Sequence, residues 1–216
     1  MPNRAYLICS NSNAIHPDIG SPENHFLAEA AYGVPLLWMA LFRPNDIKQR
    51  EVMVKDRPLS LEAPTTTRMN AISQLADAVP YLNHLFRSEG PIDEHASIFG
   101  KFLQAVELDY LTIDFDEVAS MGERTDFYKD FRNALGAIEA KNLSQPKSGL
   151  LDRLLNKHKT FVGQELLAGF ATLSLGRKFP TPNQVLGNHE MAEEDLRNYD
   201  YLFGAQCFRK VPWHRL

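Results

Sequence analysis

Only two cysteines occur in the 216 residues, Cys9 and Cys207, near opposite ends of the chain. Two are too few for a disulfide framework, and their separation matches no Cys-x-x-Cys metal or redox spacing. Both are read as reduced, buried small hydrophobes; a bridge between them would need the terminal strands to pair. Long apolar runs are also missing. The longest, Val34 to Phe42, is interrupted by Pro35 and falls far short of the roughly 20 residues that span a bilayer. The first ten residues carry one early arginine and an apolar run too short for a secretory signal. The expectation is therefore a cytoplasmic protein with no membrane partner. A basic excess is lacking too: 27 acidic against 23 basic residues give a formal charge of −4. That balance opposes non-specific attachment to nucleic acid, where a basic stripe supplies the affinity.

The phosphate-cradling signatures are absent, with neither G-x-x-x-x-G-K-[ST] nor a G-x-G-x-x-G between strand and helix. A G-x-S-x-G nucleophile elbow and the protein-kinase signature set are missing as well. No cofactor is expected. What is present is an ordinary globular composition, 44% hydrophobic and 23% charged, enough apolar material for a real core. The length suits one domain covering 1–216.

Hydrophobic patterning predicts an α+β fold, a small and mostly antiparallel sheet covered by several amphipathic helices. Arg4 to Ser10 reads as an interior strand, with Tyr6 and Ile8 on one face and Ala5, Leu7 and Cys9 on the other. Ser21-Pro22-Glu23 reads as the start of a helix from Pro22 to about Tyr32. Strands are predicted at Leu37–Phe42 and Glu51–Lys55, the second followed by a proline-bounded stretch from Pro58 to Pro64. Thr67 is placed to cap a helix to about Val79, with Pro80 opening a second short one. The clearest helical period runs from Pro91 to Leu108, through Ile92, Ile98, Phe99, Phe102, Leu103 and Val106. Tyr110–Phe115 alternates as a strand with one wet face, and a helix over Thr125–Ala140 displays Phe127, Phe131, Leu135 and Ile138. Beyond the polar stretch from Lys141 to Gly149, helices are predicted at Leu150–Lys157 and Phe161–Leu175. A short acidic helix after Asn188 and a strand from Tyr201 to Val211 follow.

Three acidic groups are candidates for chemistry. In His189-Glu190-Met191-Ala192-Glu193-Glu194, Glu193 stands where a zinc-protease helix has its second histidine. A helix starting after Asn188 would gather the same acids to complement its dipole, so no metal is expected. Asp93, Glu94 and His95 are consecutive helical residues and point in different directions. Asp114, Asp116 and Glu117 are denser: strand alternation puts Asp114 and Asp116 on one face, able to share a divalent ion or an acid–base task. An exposed strand face with acids feeding the next helix start accounts for the same letters. The terminal Trp213 is either docked in the fold or offered to a partner.

The opening Asn3-Arg4-Ala5-Tyr6-Leu7, with Tyr32-Gly33-Val34-Pro35-Leu36-Leu37-Trp38 and Leu41-Phe42, resembles a group of bacterial proteins sharing an Asn-Arg-x-Tyr-Leu start. The resemblance covers about the first fifth of the chain and brings no catalytic motif. It implies an immunity protein, or another interaction protein of the kind encoded near toxin genes. The leading expectation is thus a protein-binding module without catalytic activity. Its basic partner, such as a toxin, would meet Asp114, Asp116, Glu117 and Trp213. The alternative is a metal-assisted or acid–base hydrolase using Asp114, Asp116 and Glu117 with a histidine brought in by the fold.

Overall fold

A computed structural model describes residues 3–15, 24–31, 33–86 and 91–143. The elements are β1 (Arg4–Ser10), β2 (Asn24–Ala31), α1 (Leu36–Met39), β3 (Ile47–Val54), β4 (Arg57–Thr67), α2 (Arg68–Phe86), α3 (Pro91–Ala105), β5 (Tyr110–Asp114), α4 (Asp116–Ala119) and α5 (Arg124–Leu143). The strands form one antiparallel sheet in the order β2-β1-β5-β4-β3. The α+β class and the interior position of β1 are as the sequence predicts. The elements expected at 150–157, 161–175, 188–199 and 201–211, together with Cys207 and Trp213, lie outside the described residues.

One face of the sheet, carrying Ala5, Leu7, Cys9, Leu111 and Ile113, packs into the core with α1, α2, α3 and α5. The periodic apolar positions do this work: Ile92, Phe99 and Leu103 from α3, and Phe131, Leu135 and Ile138 from α5, are buried. Ile98, Phe102, Val106 and Phe127 are partly buried at its margin. At the head of α2 the Thr67 hydroxyl accepts the Asn70 N–H at 3.2 Å, the bond an N-cap makes to the third residue of the helix. Replacing Thr67 by alanine should cost about 1 kcal/mol, read as a lower urea midpoint with an unchanged slope. Pro80 does not open a second helix. It lies inside a continuous α2 with its ring exposed, where the carbonyl it leaves unpaired can be hydrated.

Two further local readings are overturned. Residues 24–31 are strand, not helix: Leu, Ala and Glu favour helix, but pairing with β1 buries Leu27, Ala28 and Ala30 and sets Glu29 against Arg4 in an ion pair. Tertiary pairing outweighs propensities that differ by tenths of a kcal/mol. Leu37–Phe42 is not a strand either. After Pro35 the chain forms α1 and a further turn, with backbone N–H groups from Trp38 to Phe42 bonding carbonyls of Pro35, Leu36, Trp38 and Met39. The backbone is satisfied locally while every side chain from Leu36 to Phe42 is buried. The apolar run is core.

The proline-bounded stretch, which local pattern leaves unassigned, is part of the long strand β4. Lys55 and Asp56 have φ of 49° and 62°, the two left-handed residues of a two-residue hairpin turn. That turn sets the register Val54↔Arg57, and from there Pro58 opposite Met53 and Pro64 opposite Ile47 fall at non-hydrogen-bonded positions. Their missing N–H groups point away from β3 and break none of its ladder. Pro64 instead ends the pairing of β4 with β5, which is confined to Thr65–Thr67 against Tyr110–Thr112.

The outer face carries Tyr6, Ile8 and Ser10, Tyr110, Thr112 and Asp114, and Thr65 and Thr67. Its expected wetness is corrected at the centre: Ile8, Ser10, Thr65 and Thr112 are buried. The hydroxyls of Thr65 and Thr112 share a hydrogen bond of 3.0 Å, and Ser10 Oγ donates to the Ser12 carbonyl at 2.9 Å. These polar groups tolerate burial because they are paired. Lys48 Nζ donates to the Asn13 carbonyl at 2.8 Å, so the chain after β1 runs back over this face towards β3, with Ile15 buried.

Candidate functional site

β5 ends at Asp114, and Phe115, with φ −129° and ψ 19°, turns the chain into the single-turn helix α4. Strand alternation therefore stops before Asp116, and Asp114 and Asp116 do not share a strand face. Each acid has its own partner. An Oδ1 of Asp114 accepts the Asp116 N–H at 3.2 Å, closing the turn. The Asp116 carboxylate accepts from Nε and Nη2 of Arg124, the first residue of α5, at 2.8 and 3.3 Å. This fork holds the Arg124 guanidinium above its ordinary pKa, chiefly through the hydrogen bond. Glu117, exposed on α4, accepts the backbone N–H of Arg4 through Oε2 at 3.0 Å.

The register adds residues that the acidic motif alone does not reveal. Tyr6 is half-buried on β1, directly opposite Asp114 on β5 and Glu29 on β2. Burial and then the charge of Glu117 push its phenol above the usual value, with Glu29 and Asp114 adding to the rise and Arg4 opposing it. Arg4 is in turn ion-paired with Glu29. The result is an aromatic ring among three carboxylates, Glu29, Asp114 and Glu117, at one end of the outer face. Strand alternation places Tyr6 on that face; Glu29 is missed because its segment reads as helix.

Among the described residues no group of three or more His, Cys, Asp and Glu side chains is placed to hold a metal ion. Asp93 accepts from Asn83 Nδ2 at 2.7 Å while His95 is buried in α3, so that acidic trio does not converge. The His189–Glu194 motif and Trp213 lie outside the described residues. Comparison with protein-family models, with curated proteins and with solved structures finds no match, so the reading of this site rests on its own geometry.

Proposed function

We propose that the chain is a protein-binding module of toxin-immunity type, without catalytic activity, that meets a basic protein partner through the acidic end of its sheet. The observation carrying this reading is the half-buried Tyr6 ringed by Glu29, Asp114 and Glu117. A rigid aromatic anchor within a negative field is suited to steering and holding a cationic surface. The hydrolase reading gains no support: Asp116 is held by Arg124, Asp114 closes a turn and Glu117 holds the Arg4 amide. Those bonds orient the acids towards the protein's own backbone and side chains rather than towards a common reacting atom.

The same bonds choose the test. Charge reversal at Asp114 or Asp116 would dismantle the turn into α4, whereas Glu117 is exposed. With a basic toxin-like protein from the neighbouring reading frame as partner, Glu117→Lys should slow association about tenfold at ~0.02 M salt and less than about twofold at ~0.5 M. Equal rates for variant and parent at both salt concentrations would sink the reading.

A further inference from the structure

The hairpin of β3 and β4 leaves the body of the sheet as an arm. β5 pairs β4 only at Thr65–Thr67 and ends at Asp114, so Arg57–Glu62 runs on beyond it for about 20 Å at ~3.3 Å per residue. From Gln49 to Ser60 every described side chain except half-buried Val52 and Leu59 is exposed. A two-stranded ribbon of this kind is at best marginally stable in water on its own. The register sorts its charges by face. On the outer face Arg50 lies opposite Leu61 and Val52 opposite Leu59, with Arg57 two residues before Leu59, a basic and apolar strip with no carboxylate among these residues. Glu51 and Glu62 belong to the other face, where Glu62 is ion-paired with Arg132 of α5. Arg50 and Arg57 are exposed and take no part in the ion pairs of Arg4, Arg124 and Arg132.

The acidic end lies on the same outer face and at the same end of the sheet, because Tyr6 pairs with both Asp114 and Glu29. Its Glu29 and Tyr6 lie on β2 and β1, three and two strands from β4 in the order β2-β1-β5-β4-β3, with Asp114 on β5 between them and the arm. A face that is basic at one edge and acidic at the other is complementary to itself under a two-fold rotation, which brings each edge to the opposite edge of a second copy. We propose that the chain self-associates in this way: the strip of Arg50, Val52, Arg57 and Leu59 from one copy docks on the Tyr6, Glu29 and Glu117 end of the other, and reciprocally. The dimer covers the apolar pair on the arm and gives both exposed arginines carboxylate partners.

Light scattering and sedimentation of the full chain test this, using Arg50→Glu/Arg57→Glu and Glu29→Lys/Glu117→Lys, with folding verified by circular dichroism. At about 0.05 M salt the parent should have twice the 24.5 kDa chain mass, falling towards one chain at about 1 M. Each double variant alone should be monomeric. Mixed in equal amounts they should dimerise again, because the reversed arm of one now matches the reversed end of the other. Should Glu29→Lys/Glu117→Lys fail to fold, Glu117→Lys alone replaces it. A parent that is monomeric at low salt, an arm variant that remains dimeric, or a mixture that stays monomeric would each overturn the proposal; the first would leave the arm for a different acidic partner. The arm variant keeps the acidic end intact, so its partner binding separates this proposal from the proposed function.

Discussion

Phe131→Ala should lose about 3–5 kcal/mol of unfolding free energy, the usual cost of deleting a buried aromatic ring. Phe131 is 1% exposed on α5, with its ring 4.8 Å from that of Phe115 and stacked at 6.3 Å on that of Phe127. Phe115 also meets Phe127 edge-on at 5.2 Å and Tyr128 at 6.0 Å. Removing the Phe131 ring leaves a cavity and forfeits its ring–ring contacts, worth about 0.5–1.5 kcal/mol each. Because Phe115 joins β5 to α4, the loss also loosens the packing of that junction. Periodicity alone predicts the same loss for Phe102→Ala, but Phe102 is only half-buried, and its truncation should cost about half as much. Urea denaturation of the two variants checks both values. A loss below about 1 kcal/mol at Phe131 would place that ring outside the core.

Elements with a clear pattern were legible from sequence: α3 and α5 each pair an apolar stripe with one buried face, and β1 and β5 are interior strands whose core-facing residues alternate with the outer ones. The elements misread or left unassigned are specified by their neighbours. β2 is a strand because β1 offers it an edge, and β4 accommodates two prolines because a turn at Lys55-Asp56 puts them at harmless positions in the ladder. Neither condition can be read from local propensity. α1 defeats the pattern for a different reason: a segment buried on every side has no period. The candidate site divides along the same line. Its acids were visible as letters, but their partners Arg4 and Arg124 and the neighbours Tyr6 and Glu29 come from three other elements. What the acids do was therefore hidden until the strands were paired.

Cys9 makes stability depend on pH between about 9 and 11. Its side chain is fully buried, with Sγ donating to the Leu108 carbonyl at 3.4 Å. Burial pushes the thiol from its ordinary 9.0 up to about 11, with the positive charge of Arg68 opposing the rise. The folded protein therefore keeps this proton at pH values where the unfolded chain has released it. The stabilisation is complete below about pH 9 and is lost as pH rises towards about 11. Two pH units correspond to about 2–3 kcal/mol at ~1.4 kcal/mol per unit. Tyr81 and Tyr128 are also raised by burial from an ordinary 10.0, so their contribution enters above the lower half of this window. Urea midpoints at pH 8, 9 and 10 should thus change little up to pH 9 and then fall for the parent, and fall much less for Cys9→Ala, whose lower starting stability reflects the lost side chain. Parallel curves for the two proteins would mean that the Cys9 thiol ionises in the folded state as freely as in the unfolded one.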